Sequence, residues 1–150
     1  MNKELIPITK FSLTYDPSKV ETRHKIDSID SAVELLTANI NTDKLKHVEM
    51  GWVMLFNSNH EILGISELST GNQFLNTVHL SEILRLALLS NSSHFMVFYN
   101  RCNRGLRPEG DEFTRIEELK YFARIVDAEL FDVILINDET YFSMLGSALM

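Results

Sequence analysis

Residues 98–115, FYNRCNRGLRPEGDEFTR, set Arg101, Arg104 and Arg107, a lone cysteine and an acidic exit directly behind an apolar run. Loops that carry this much side-chain chemistry often carry function. Three chemistries compete for it. Arg101 and Arg104 beside Cys102 could lower the thiol's pKa towards thiolate chemistry, yet a cysteine nucleophile needs a partner base, and the loop holds no histidine. Cys102 therefore reads as incidental. Arg101, Arg104, Arg107 and Arg115 with Tyr99 form a basic and aromatic group that could hold a phosphate backbone or a base; the plainer reading is a solvated loop. Glu112, Asp111 and the upstream Glu49 could supply carboxylates to a metal, but the five histidines, His24, His47, His60, His79 and His94, are dispersed without a helical pair or an HxH motif. Of these, His47, two residues before Glu49, could join a makeshift metal site, whereas His79 reads as a helix cap or surface residue.

The elements that must position this loop follow from periodicity. Ile29, Ala32, Val33, Leu36 and Ile40 recur at helical spacing behind Ser28, which predicts an N-capped first helix ending near NINTD. GWVMLFN and EILGISELSTG, separated by SNH, predict a β-hairpin. HLSEILRLALLSN predicts a second helix with Leu80, Ile83, Leu84, Ala87 and Leu88 on its inner face, and HFMVFYN a buried strand. A third helix should bury Phe113, Ile116, Leu119, Ala123 and Val126, followed by the strand ELFDVILI and the closing segment TYFSMLGSALM. Before all of these, Leu5, Ile8, Phe11 and Leu13 alternate loosely, as in an extended arm or edge strand. Strands alternating with helices indicate an α/β layered sandwich with its site at the carboxyl end of the strand near Tyr99.

Composition bounds the function. The 150 residues, 45% hydrophobic, suffice for one well-buried core, so the chain reads as a single domain over 1–150, with an arm and helix over 1–45 and the core over 46–150. The formal charge of -7 argues against a broad footprint for nucleic acid or anionic membrane. A single cysteine excludes an internal disulfide framework and a multi-thiolate zinc cluster, and fits a reducing cytoplasm. The opening residues contain neither a signal-peptide core nor a bilayer-length span.

Several words in this order resemble the RadC-like branch of the JAB/MPN metalloprotein superfamily, in particular short RadC-like proteins of bacterial mobile elements. ELIPITKFSLTY is similar to their opening, SELSTG to their second hairpin strand, and VHLSEILRLAL to the helix before their metal loop. ELFDVILI matches the strand written L-D-H-x-I-I, with Asp132 kept and Val133 in place of the histidine, and YFSM matches the closing Tyr-x-Ser. The resemblance implies a three-layer α/β sandwich of the JAB/MPN, cytidine-deaminase-like type: a central mixed sheet flanked by about three helices.

It also implies a zinc loop of the form His-Asn-His-Pro-Ser-Gly, followed by a Pro-Ser pair and an Asp, with an upstream Glu as general base. Laid through Leu106 and Pro108, the two histidine positions hold Tyr99 and Arg101, the Asn is kept as Asn100, and the following Pro and Ser become Cys102 and Asn103. The Ser after Pro108 is Glu109, the ligand Asp falls on Glu112, and the general base on Glu49. Arginine has no lone pair to give a cation, tyrosine is a poor zinc ligand, and one carboxylate does not hold catalytic zinc.

The expectation is thus a vestigial site at Tyr99, Arg101 and Glu112, with zinc absent and no other cofactor. Glu49 is either a relic base or a charged residue at a strand edge, and Arg101 either replaces the cation electrostatically or is solvated. The leading function is a catalytically inactive RadC-like pseudo-metalloenzyme with an accessory or interaction role linked to DNA repair or mobile elements. Its expected partner is a protein, with oligomeric state open and no membrane. The alternatives are an atypical metal-dependent hydrolase using Glu49 and Glu112, and a nucleic-acid binder acting through the Arg101–Arg107 loop.

Overall fold

The computed structural model describes residues 24–69 and 74–146. The expected arm through Leu5 and Leu13 lies outside the described residues, as do 147–150 of the closing segment. Three helices, α1 (Ile29–Ala38), α2 (Thr77–Ser90) and α3 (Glu112–Ile125), accompany five strands, β1 (Gly51–Phe56), β2 (Ile62–Glu67), β3 (His94–Asn100), β4 (Glu129–Ile136) and β5 (Tyr141–Ser143). The strands form one sheet in the order β2-β1-β3-β4-β5. The β3/β4 pair is parallel, and its crossover is α3; β1/β2, β1/β3 and β4/β5 are antiparallel. This is the expected α/β architecture, a mixed sheet flanked by three helices.

Period-two alternation divides the core into two layers. Val53, Leu55, Phe95, Val97, Tyr99, Val133 and Leu135 pack with Ile83 and Ala87 of α2 and Ile116, Leu119 and Ala123 of α3. Trp52, Met54, Phe56, Met96, Phe98, Ile134 and Ile136 pack with Ala32 and Leu36 of α1. Strands buried on both faces need apolar side chains at successive positions, which is why GWVMLF and the core of HFMVFYN read as nearly continuous apolar runs. In the β3/β4 ladder Phe95 faces Leu130 and Met96 faces Asp132, so Phe131 is an extra residue in β4.

The helix termini follow their sequence signals. Ser28 caps α1 by accepting the Ser31 N–H at 3.1 Å, and Asn76 caps α2 by accepting the His79 N–H at 2.9 Å. Asn91, in the left-handed region at φ 53°, ends α2 by donating its N–H to the Ala87 and Leu88 carbonyls. Two inner faces differ from expectation. In α2 the buried stripe is His79, Ile83 and Ala87, while Leu88 is half exposed. In α3 it is Glu112, Ile116, Leu119 and Ala123, while Phe113 is half exposed. At 100° per residue a stripe running through 112, 116, 119 and 123 leaves position 113 outside it, whatever its hydrophobicity.

The closing strand is fastened by Asp132. Its carboxylate accepts the N–H groups of Val133 at 2.7 Å and Leu145 at 3.0 Å and the Ser143 hydroxyl, an arrangement that satisfies a fully buried charge with several donors. No helix among the described residues is long and apolar enough to cross a membrane.

Candidate functional site

At the carboxyl end of β3 the chain leaves the sheet at Asn100 and loops over residues 101–111 into α3, and a cavity of about 620 Å³ opens there. Loops at the carboxyl ends of parallel strands are where such sheets build their sites. Glu49, Tyr99, Asn100, Arg101, Arg104, Glu109, Asp111 and Glu112 line it, together with His79 and Arg115 from α2 and α3. Residues spread from 49 to 115 thus converge on one space.

Asn100 holds two segments in register. Its side-chain nitrogen donates to the carbonyls of Leu45 at 3.0 Å and Val48 at 2.7 Å, and its oxygen accepts the Met50 N–H at 2.5 Å. The short 3-10 turn Thr42–Lys46 and the residues bearing Glu49 are therefore pinned to the end of β3.

Arg101 is 3% exposed. Its Nη2 donates to both oxygens of Glu112, and its Nη1 donates to the Arg107 carbonyl. Glu112 opens α3, where the helix dipole favours a carboxylate, and its Oε1 also accepts the Glu109 N–H at 2.6 Å. A buried guanidinium and a buried carboxylate therefore neutralise each other inside the cavity. Glu49 is held by a different arginine. Arg104 Nη2 meets it at 2.7 Å and Nε at 3.2 Å, while Arg104 Nη1 meets Glu109 at 2.6 Å. The hydrogen bond to Glu49 raises the Arg104 pKa further. The two carboxylates are thus held by different arginines: Arg101 meets the buried Glu112, and Arg104 the exposed Glu49.

Tyr99 closes the opposite wall. Its hydroxyl lies 2.7 Å from His79 Nδ1 and accepts the Leu75 N–H at 3.1 Å, while His79 Nε2 lies 2.8 Å from the Ser69 carbonyl. A carbonyl only accepts, so Nε2 carries the proton and Nδ1 accepts from the tyrosine. Burial pushes the Tyr99 phenol well above its usual pKa, the Leu75 N–H only partly opposing this. His79 is 1% exposed, which corrects its reading as a cap or surface residue. The missed signal was its spacing, four residues before Ile83 and eight before Ala87.

The remaining loop residues separate. Cys102 turns away from the cavity and donates its thiol to the Leu45 carbonyl at 3.1 Å. Burial and the Glu49 charge push that thiol's pKa up, against a smaller opposing effect of Arg104, so the expected lowering by the arginines is corrected. Arg107 is exposed, and Arg115 bonds Asp111 at 3.1 Å and the Phe74 carbonyl at 2.9 Å. His47 is exposed at the end of the 3-10 turn.

These donors do not fit a zinc ion. At Tyr99, Arg101 and Glu112, the positions expected to be vestigial ligands, stand a phenol already bonded to His79 and Leu75, a guanidinium, and a carboxylate occupied by that guanidinium. Among the described residues no group of three or more His, Cys, Asp or Glu is placed to hold a metal ion.

The sequence has relatives among known proteins. The chain is 26% identical over 141 residues to a protein named UPF0758 protein from Alkaliphilus oremlandii, an alignment covering 80% of this chain and 61% of that protein. It is 24% identical over 127 residues to a UPF0758 protein of Alkaliphilus metalliredigens, covering 85% and 53%, and 24% identical over 111 residues to one of Neisseria gonorrhoeae, covering 74% and 48%. The chain thus spans roughly half to three fifths of the length of these curated relatives. The family model for the RadC-like JAB domain matches residues 26–149, well over half of the chain, and the chain belongs to the RadC-like JAB domain family.

Proposed function

We propose that this RadC-like JAB domain works without a catalytic metal, as an accessory or interaction module whose family metal position is filled by the side chain of Arg101. The observation that carries this reading is the buried Arg101–Glu112 pair. A guanidinium supplies the positive charge a carboxylate-lined cavity needs, but it offers no open coordination position, so it can neither polarise a carbonyl nor lower the pKa of a bound water as zinc does. Glu49, salt-bridged to Arg104, has no metal-bound water to deprotonate. On this reading the peptidase-like chemistry of the superfamily is lost and the fold is retained for binding, with a protein as the partner and a role linked to DNA repair or mobile elements. Nucleic-acid binding through the loop draws less support, because Arg101, Arg104 and Arg115 are each already matched to carboxylates and the chain carries a formal charge of -7.

Elemental analysis of protein purified without chelator tests the proposal, with zinc expected far below one ion per chain. Stoichiometric zinc that disappears on replacing Glu49 or Glu112 overturns it. The combined change Tyr99→His, Arg101→His and Glu112→Asp restores zinc binding if the three positions are aligned correctly. A folded triple variant with no zinc affinity counts against that alignment.

A further inference from the structure

Among the described residues β2 is an edge strand of the sheet, and a strand edge left open is a template for pairing. A cavity of about 490 Å³ lies beside it on the α1 face, between Leu35 and Ile40 on the helix side and Ile65 and Glu67 on the strand side, with Trp52 also lining it. The chain itself leads into this groove. Lys25 bridges Glu61 in antiparallel fashion, Ile26 donates its N–H to the His60 carbonyl at 3.0 Å, and the His24 carbonyl accepts the Ile62 N–H at 2.8 Å. His24 lines the groove, and residues 1–23 precede it. An antiparallel start at 24–26 sends the preceding residues along β2 towards Glu67, the direction in which the groove lies.

We propose that residues 20–26 form a sixth strand, antiparallel on the outer edge of β2, with Val20 and Thr22 filling the groove. Two independent periodicities agree on the register. On β2, the Leu68 N–H donates inward to the Gly51 carbonyl, so alternation turns Ser66 and Gly64 towards β1 and leaves the N–H and C=O of Ile65 and Glu67 pointing outward. On the incoming segment, His24 and Ile26 bond β2, so the backbone groups of Thr22 and Val20 face it too. Leu63 is an extra residue in β2, since Leu55 faces Gly64 and Phe56 faces Ile62. Counting past it sets Thr22 opposite Ile65 and Val20 opposite Glu67, donor to acceptor in both directions. The side chains follow the same rule. Ile26 is buried in the layer packed on α1 while Lys25 is exposed, so His24, Thr22 and Val20 share the groove face, and Arg23 and Glu21 share the Lys25 face. Val and Thr are good strand formers, and charges at the alternate positions suit an edge. The tether favours this occupant over a separate chain: Thr22 lies three residues from a bridge already formed, so its effective concentration at the edge is high.

Amide hydrogen exchange on the full chain tests this. The Ile65 and Glu67 amides should exchange at least about tenfold more slowly than open-chain amides, to the same extent at low and high protein concentration. Thr22→Pro removes an N–H that faces β2 and should speed exchange at Ile65 by at least about tenfold. Arg23→Pro removes an N–H that faces solvent, which an edge strand tolerates, and should leave Ile65 within about threefold of wild type. The Val97 amide in β3 should stay protected in both variants, which separates local loss from unfolding. Should Thr22→Pro unfold the chain, Val20→Pro carries the same expectation for Glu67. Open-chain exchange at Ile65 and Glu67 in the wild type overturns the proposal, as do proline variants with equal effects. Protection that rises with protein concentration also overturns it, since a second copy would then occupy the edge.

Discussion

In the cavity at the end of β3, Arg101 and Glu112 meet through a single nitrogen: Nη2 bonds both carboxylate oxygens while Nη1 turns to the Arg107 carbonyl. The guanidinium thus ties the start of α3 and the loop leading to it back onto the sheet. Arg101→Ala leaves Glu112 buried with the Glu109 N–H as its remaining donor among these contacts. Breaking a buried pair from one side destabilises by about 3–5 kcal/mol, largely because an uncompensated charge stays behind. Replacing both residues, Arg101→Met with Glu112→Leu, strands no charge and should destabilise by less than the sum of the single changes. Urea unfolding of the four proteins in this cycle measures the difference, and additive losses would show that the two side chains are not coupled.

Arg104 makes as many ionic contacts as Arg101 and should matter far less. Its side chain and that of Glu49 are each 40% exposed, so solvent and salt screen the pair. Arg104→Ala is expected to lower stability by less than about 1 kcal/mol, an effect that shrinks further in high salt. Arg107→Ala, at an exposed side chain, should stay within about 0.5 kcal/mol of wild type. A loss at Arg104 equal to that at Arg101 would mean that the electrostatic centre of the site is Glu49 instead of Glu112.

The Tyr99 hydroxyl joins the Leu75 N–H to His79, and His79 reaches on to the Ser69 carbonyl. Tyr99→Phe keeps the ring in its place beneath Gly51, where an added Cβ would stand 2.7 Å from the ring edge, but strands a buried N–H and a buried imidazole nitrogen. The expected loss is about 1–3 kcal/mol. Hydrogen exchange should report it locally, with the Leu75 amide losing protection while amides at the centre of β3 keep theirs. Unchanged exchange at Leu75 would mean that this hydroxyl does not hold the segment.

Strands β1, β3 and β4 were legible because a central strand must be apolar on both faces, and GWVMLF, HFMVFYN and ELFDVILI are. The hairpin and the Ser28 cap followed from local chemistry alone. Helix faces were less legible, since counting apolar residues drew Leu88 and Phe113 inward while the true stripes include His79 and Glu112, polar residues satisfied by partners outside their own helices. The loop's outline came from its resemblance to a family, and its pairing could not. Which arginine meets which carboxylate depends on the path of the backbone, which passes through left-handed conformations at Asn103 and Gly110 and brings Arg104 to a residue 55 positions earlier. The extra residue at Phe131 likewise leaves no local signal in an apolar run.

At the far end of the sheet, His94 stacks on Phe131 with ring centroids 4.3 Å apart and meets His60 edge-on at 5.3 Å. Burial pulls its pKa below the ordinary 6.5; the neighbouring Glu129 partly opposes this and His60 adds to it. The folded protein therefore resists a proton that the unfolded chain accepts. When the unfolded state binds more protons, stability falls as pH falls. The loss should begin as pH drops through about 6.5 and level off below the folded pKa, with no contribution from this group well above pH 7. His94→Leu removes the titrating ring together with its buried Nδ1, which has no hydrogen-bond partner among the described residues. Compared by urea midpoint from pH 8 down to pH 5, wild type should lose stability relative to the variant as the solution is acidified. A gap that is constant with pH, or that moves in favour of wild type in acid, would show that Glu129 outweighs burial and holds His94 in its charged form.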